Sequence, residues 1–319
     1  MTLLLCSLFA ALLLDRLLGE VRRGHPLVGF GWLATWVERR LNTDNVGAAP
    51  AAQVRLKPHL QQRLSGALGL ALLTLPLTGL LLYIEQWRAM TIIVNVAVLY
   101  FAIGGRSLIE HAQQVRDALR ENNIKHARTR TGYLVSRDTA QMDEQAVVRA
   151  TIESTLENGN DALFAPIFWF LVAGAPGVLF YRLVNTLDAM WGYKTPRYRD
   201  FGWAAARLDD GLNFIPARLT ALSYALSGKF INAIQCWSKQ AGACASPNAG
   251  PVMAAGAGAL AFQLGGPAVY HGELEQRPQL GNGVLPNAEA IDQAVNLLRR
   301  SLLLWLLLLT LVWGGVQLA

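Results

Sequence analysis

Long apolar runs, separated by polar stretches of very unequal length, set the pattern of the chain. Residues 65–84 (SGALGLALLTLPLTGLLLYI) contain no charge, and a membrane span needs about 20 mostly apolar residues. Pro76 is tolerable there because neighbouring groups can re-satisfy the carbonyl it frees. Residues 89–105, flanked by Arg88 and Arg106, and residues 301–319, after Arg299 and Arg300, read as further spans. Residues 1–18 lack a basic leading region and a small-residue cleavage site and run into Asp15 and Arg16. They therefore read as an uncleaved first span rather than a signal peptide. Two more apolar segments are interrupted: 162–184 by Gly174-Ala175-Pro176-Gly177, and the Gly/Ala-rich 251–270 by Leu264-Gly265-Gly266-Pro267. The expected fold class is all-α. It is a polytopic integral membrane protein in one membrane-embedded domain over 1–319, with four firm spans, two broken or re-entrant segments and polar helical cytoplasmic regions.

Charge orients this arrangement. Residues 15–64 hold eight Lys or Arg and 106–161 eight more, whereas the connector between the second and third spans holds only Arg88. Basic loops stay in the cytoplasm, so both long loops face inward and the N-terminus outward. Arg299 and Arg300 put the chain inside again before the last span, so 162–184 and 251–270 cross together or dip in and return together. The second alternative is preferred, since non-helical backbone at membrane depth survives only when buried in protein or lining a wet cavity. Composition agrees: 53% of residues are hydrophobic and only 16% charged, too few charges to coat a soluble domain of 319 residues. Mean hydropathy is +0.29, consistent with sizeable polar segments. The net charge of +6 follows from the cytoplasmic loops without invoking nucleic acid.

Three polar constellations carry candidate chemistry. Arg149, Glu153, Glu157 and Asp161 recur at four-residue steps, placing three carboxylates and an arginine on one helical face that runs into an apolar segment through Asn158 and Asn160. An exposed ion-paired face is the plain alternative. Acidic groups at membrane depth, however, call for a cation, and Mg²⁺ takes a few carboxylate oxygens together with phosphate. The second constellation spans 182–219. Arg207, Asp210 and Asn213 follow at three-residue steps and Asp209 stands four before Asn213. Lys194, Arg197 and Arg199 suit phosphate or interfacial snorkelling beside Trp191 and Tyr193. Arg218 lies within an apolar run, which makes it a functional candidate. The third is Ser246-Pro247-Asn248-Ala249-Gly250, a turn that caps the helix begun by Pro251 or grips an anion. Near the N-terminus, Asp15 and His25 follow the first span, and His25 is open between base, ligand and packing.

No phosphate-loop, dinucleotide, zinc-protease or nucleophile-elbow motif occurs. Cys6, Cys236 and Cys244 imply neither disulfide nor zinc site.

DRLLGE with HPLVGFG, then SRDT, IESTLENGNDALFAP, GAPGVLFYRLVNTLDAMWGYK, FGWAAARLDDGLNFIPARLTA, SPNAG and LGGPAVYHG occur in that order over about 15–281. In this linked set the chain resembles the membrane-bound adenosylcobinamide-phosphate synthases, the CbiB/CobD family. It departs at Gly19-Glu20-Val21, where the family commonly has Gly-Asp-Pro before its His-Pro. The resemblance implies a bacterial inner-membrane ligase with ATP and Mg²⁺ as cofactors. It would join a propionate carboxylate of adenosylcobyric acid to (R)-1-amino-2-propanol or its O-phosphate.

On that resemblance Glu153, Glu157, Asp161 and Asp210 are the candidate catalytic carboxylates, and Glu157, Asp161, Asp209 and Asp210 the candidate Mg²⁺ ligands. Asp15, His25, Arg137, Asp138, Asn158, Asn185, Asp188, Lys194, Arg207, Asn213, Arg218, Ser246 and Asn248 are candidate substrate contacts. Trp169, Trp191, Tyr193 and Trp203 would suit a corrin ring, although a membrane-interface belt is the expectation for most of them. The partners implied are the corrinoid and amino-alcohol substrates and the lipid bilayer, with other membrane-bound late cobalamin enzymes and a homo-oligomer admitted and nucleic acid not. A non-catalytic sensor would have lost the acidic and Asn-rich motifs, which are intact. A transporter would show inverted repeats and a charge inside a firm span, and neither occurs. The expectation is that Glu157, Asp210 and Asn248 converge at the inner membrane face.

Overall fold

A computed structural model describes residues 2–21, 24–42, 56–270 and 273–318. His271 and Gly272 of the quoted motifs lie outside the described residues. The helices are α1 (Thr2–Leu18), α2 (Pro26–Leu41), α3 (Leu56–Ile84), α4 (Arg88–Ala102), α5 (Gly105–Arg120), α6 (Ile124–Thr131), α7 (Glu144–Gly159), α8 (Ala165–Trp191), α9 (Trp203–Ser227), α10 (Phe230–Gln240), α11 (Ala249–Leu260) and α12 (Ala290–Leu318). Among the described residues four stretches are long and apolar enough to cross a membrane: His59–Ile84, Met90–Arg120, Glu144–Trp191 and Ala290–Leu318. The chain is thus an all-α polytopic membrane protein, but these are not the same four spans that the hydropathy pattern suggests. Helix α1 covers 17 residues of the first expected span, with Asp15 and Arg16 inside it, and the interrupted 162–184 segment is part of the third stretch.

The chain divides into two units, each assembled from separated pieces. The second comprises Cys6–Ile103 and Pro166–Leu212. Its core joins Phe30, Ala34 and Val37 of α2 and Leu70 and Leu73 of α3 to Leu183, Val184, Leu187 and Trp191 of α8 and to Phe201. Helix α8 is interrupted: Ala173 (φ −139°) and Gly174 (φ 64°) leave helical geometry, and Gly174 supplies the positive φ at no steric cost. The chain then folds back. A Cβ on Gly177 would lie 2.7 Å from the Trp169 carbonyl oxygen, a pair that a straight helix would hold about 12 Å apart along its axis. The return arm runs antiparallel to α3. Gly174 lies beside Glu85 at one end of α3, and Phe201, beyond the return arm, lies against Gly66 near the other.

The loop after α8 is tied down by two carboxylates. Arg197 donates to Glu38 through Nε (3.0 Å) and Nη2 (2.7 Å). Asp200 receives Arg63 Nε at 3.0 Å and meets His59 Nδ1 at 2.5 Å. Burial opposes ionisation of Asp200, but its bonds to His59 and Arg63 outweigh this and hold the carboxyl below the ordinary carboxylate range. Stability from this group is therefore complete above the unfolded pKa of about 4 and is lost as pH falls through the lower folded value. The unfolding temperature of the natural chain should drop more steeply below about pH 4 than that of Asp200→Asn, as read by thermal melts across that range.

The first unit comprises Met1–Leu5, Gly104–Ala165 and Asn213–Ala319. Helix α5 buries Leu108, Ala112, Val115, Ala118 and Leu119 along one stripe. Asp143 begins α7, accepting the Ala146 N–H at 2.7 Å. Helix α11 is buried from Ala249 to Ala259; at 12 residues it rises about 18 Å, too little for a hydrocarbon core of about 30 Å. After it the chain leaves helical form. Strand β1 (Leu264–Gly265) pairs antiparallel with β4 (Gln279–Leu280), and β2 (Ala268–Tyr270) with β3 (Glu273–Glu275). The apolar 251–270 segment is thus a short helix followed by strands.

Candidate functional site: two polar clusters

In the first unit the polar network centres on Glu153 of α7, which is 2% exposed. Its Oε2 receives Arg137 Nη2 at 2.7 Å and Arg277 Nη1 at 2.6 Å, and its Oε1 receives the Gly265 N–H at 2.7 Å. Three distant segments are therefore pinned to one carboxylate. Arg149, one turn earlier, donates to the Gly265 carbonyl at 3.3 Å. Beside them opens a cavity of about 310 Å³ whose lining includes Arg137, Asp138, Arg149 and Glu153. Asp138 accepts the Ala140 N–H at 2.8 Å. Glu157 is half-buried and faces the charges of Arg277, Glu153 and Arg137. Asn158 turns away to Ser154 Oγ, 2.7 Å.

The four-residue stripe does not continue unchanged to Asp161. A π-turn at Asn160–Phe164 follows α7, and such wide turns are frequent at functional sites. Asn160 Nδ2 donates to Asp161 Oδ1 (2.8 Å) and to Asn213 Oδ1 (2.9 Å), while its Oδ1 accepts from Thr220 (2.9 Å). Asp161 also acts on Tyr224, whose hydroxyl pKa is raised by burial and then by this carboxylate. The extra residue of the turn gives Asp161 neighbours quite different from those of Glu153. Asn160→Leu would remove one hydrogen bond each from the buried Asn213 amide and Thr220 hydroxyl. A loss of about 1–3 kcal/mol is expected in denaturant unfolding of the purified protein.

Arg218 of α9 anchors the 246–250 turn. Its guanidinium donates to Asn248 Oδ1 (2.7 Å) and the Pro247 carbonyl (3.1 Å) and lies 3.6 Å from the Phe214 ring. Burial lowers its pKa. Ser246 Oγ accepts the N–H groups of Asn248 and Ala249 at 3.3 and 3.1 Å. Ser246 thus caps α11, and the arginine of the apolar run holds the cap.

The second unit has its own cluster. Asn185 bridges Arg182 Nη1 (3.3 Å) and Asp209 Oδ1 (3.2 Å). Asp188 lies within electrostatic reach of Asp209 and Asp210. Burial raises the Asp210 pKa, opposed by Arg207 and Lys194. His25 is the N-cap of α2, its Nδ1 accepting the Leu27 N–H at 3.2 Å, with its ring edge-on to Phe101. Burial lowers its pKa, Glu20 works against this, and Arg182 adds to it. Asp15 is buried and its carbonyl accepts the Gly19 N–H.

The sequence-derived candidates thus fall into two groups. Glu153, Glu157, Arg137, Asp138, Asn158, Asp161, Asn213, Arg218, Ser246 and Asn248 belong to the first unit. Asp15, His25, Asn185, Asp188, Lys194, Arg207, Asp209 and Asp210 belong to the second. Among the described residues no three His, Cys, Asp or Glu side chains form a group able to hold a metal. Glu153, saturated by two arginines and an amide, is unsuited to bind one. Trp191, 1% exposed and edge-on to Phe201, is core rather than belt or ligand surface. Arg277 was not legible: it lies in a short segment between strands, with no periodicity to point at α7.

Helices able to cross a bilayer, together with buried ionised clusters rather than a soluble nucleotide-binding fold, define a polytopic membrane protein with charged sites built into its helices. The CobD/Cbib protein family model matches residues 8–298, and the chain belongs to that family, whose role is in cobalamin biosynthesis. It is 56% identical over 295 residues to the cobalamin biosynthesis protein CobD of Chromobacterium violaceum, covering 92% of each chain. It is 51% identical over 309 residues to that of Stutzerimonas stutzeri (97% of each). It is 39% identical over 292 residues to that of Mycobacterium tuberculosis (90% of this chain, 88% of the relative). No solved structure matches.

Proposed function

We propose that this protein is an ATP-dependent ligase. It forms the amide between a propionate carboxylate of adenosylcobyric acid and (R)-1-amino-2-propanol or its O-phosphate. The observation that carries the reading is the charged cavity of the first unit, lined by Arg137 and Arg149 together with Asp138, Asp143 and Glu153, in a chain whose relatives are named for cobalamin biosynthesis. A carboxylate is a poor acyl donor, so its oxygen takes the terminal phosphoryl group of ATP and ADP leaves. The amine nitrogen then attacks the carbonyl carbon, the bond to phosphate breaks, and the amine gives up a proton.

Arg137 and Arg149 at the cavity wall suit the anionic groups of such substrates. Glu157, half-buried and not hydrogen-bonded through its side chain to any described residue, suits the amine proton. Mg²⁺ is held by one or two carboxylates with phosphate oxygens and water, so a three-acid cluster is not required. Within the second unit Asp209 and Asp210, whose mutual charge with Asp188 a cation would relieve, are the residues that would hold it; within the first unit the corresponding pair is Glu157 and Asp161. Bound there, the ion would neutralise phosphate charge. The same reading puts the chain in the bacterial inner membrane with its polar loops in the cytoplasm.

The test incubates purified full-length protein with adenosylcobyric acid, ATP, Mg²⁺ and each amine in turn, followed by mass analysis of the corrinoid. A corrinoid heavier by the amine less one water, with ADP formed, is expected. An unchanged corrinoid with both amines would overturn the ligase reading and leave the sensor or transporter.

A further inference from the structure

The loop between α8 and α9 carries Lys194, Arg197 and Arg199 within six residues, and the structure gives the two arginines different surroundings. Arg197 is held by Glu38, and its carbonyl accepts from Asn42 at 3.0 Å. Asp200, whose side chain is 11% exposed, clamps the next turn to His59 and Arg63 at the start of α3. Arg199 is left exposed, with no side-chain hydrogen bond or ion pair to any described residue. It lies at the rim of an open cavity of about 440 Å³ lined by His59, Leu60, Arg63 and Arg199. Two arginines against one aspartate leave this cup positive whatever the charge on His59.

Its surroundings are those of a membrane surface. The Arg63 guanidinium lies 5.3 Å from the ring of Trp203, which is itself exposed. From the floor of the cup, Leu60, Leu64, Leu68, Leu72 and Leu75 follow at four- and three-residue steps, every one of them exposed. They form one stripe along the membrane-crossing stretch His59–Ile84. A soluble anion would use only the cations. A molecule with a phosphate at one end and a hydrocarbon chain at the other would use both features. Basic residues at the end of a span attract anionic lipid headgroups, and Trp is enriched at that level.

We propose that His59, Arg63 and Arg199 hold the phosphate of an anionic glycerophospholipid whose acyl chain lies along the leucine stripe of α3. This site is distinct from both polar clusters and does not depend on the ligase reading.

The test uses the full-length protein in dodecyl maltoside micelles. Dioleoylphosphatidylglycerol, dioleoylphosphatidylcholine and inorganic phosphate are added in separate arms, with bound molecules counted by native mass spectrometry and thermal unfolding recorded. Phosphatidylglycerol should be retained in preference to phosphatidylcholine and should raise the unfolding temperature, while phosphate does neither. Arg199→Gln should lower phosphatidylglycerol retention about fivefold, the effect of one basic group at a membrane surface. It should leave unfolding in lipid-free micelles unchanged, because the fold makes no use of that side chain. Leu64→Asn should weaken lipid retention as well. Equal retention of the two lipids, or full retention by Arg199→Gln, overturns the proposal. Displacement of phosphatidylglycerol by inorganic phosphate at comparable concentration also overturns it, in favour of a soluble anion.

Discussion

Glu153→Gln is expected to cost about 3–5 kcal/mol of stability, the usual penalty for removing one partner from a buried charge cluster. Arg137 and Arg277 are 10% and 16% exposed at their side chains, so neither can turn to water for the lost counter-charge. The change also weakens the acceptor of the Gly265 amide, loosening the strands from α7. Adding Arg137→Gln to Glu153→Gln should recover part of the loss, because the second change removes one of the two charges that shared the lost carboxylate. Denaturant unfolding of the two single variants and the double variant in detergent measures both effects. A Glu153→Gln protein as stable as the natural chain would show that the carboxylate is not the tie described. Added Mg²⁺ should not rescue the variant, whereas a metal ligand would respond to it.

Gly177→Leu should have an effect of similar size for a steric reason. A Cβ there already falls 2.5 Å from that of Ala173 and 2.7 Å from the Trp169 carbonyl. One of these neighbours is backbone, which cannot rotate aside. Overpacking usually costs about 1–3 kcal/mol, occasionally more, and here the two arms must separate to admit the side chain. Arm separation would pull the return arm from α3, so Leu183, Leu187 and Trp191 would lose their packing against Leu70 and Leu73. The expected result is a sharply lower unfolding temperature and poor recovery from membranes. Gly177→Ala should show a smaller shift in the same direction. A leucine variant that melts with the natural chain would mean that the arms do not pack at this point.

The apolar pattern made the membrane-crossing character legible, and the Gly-Ala-Pro-Gly run placed the break in α8 correctly. Hydropathy, however, cannot tell an interrupted span from a folded-back one. That depends on a positive φ at Gly174 and on Gly177 having no side chain. The acidic stripe is legible as a helical face, but spacing does not show that Asp161 stands in a π-turn over Asn160–Phe164 and is bonded by Asn160. Spacing could not show that Glu153 would be enclosed by two arginines: Arg277 is 124 residues away along the chain. Ser246-Pro247-Asn248 was open between cap and anion site, and the Ser246 oxygen is a cap. Arg218, singled out for lying in an apolar run, proved to hold that cap in place.

Each unit is stitched from pieces that leave the ribosome at different times. The core of the second needs Phe30 and Leu73 together with Leu183 and Phe201, and the whole of Gly104–Ala165 is made in between. A nascent chain that has emerged only through its first hundred residues therefore carries lipid-facing and core-facing leucines alike without their later partners. It depends on the insertion machinery to hold them apart until synthesis catches up.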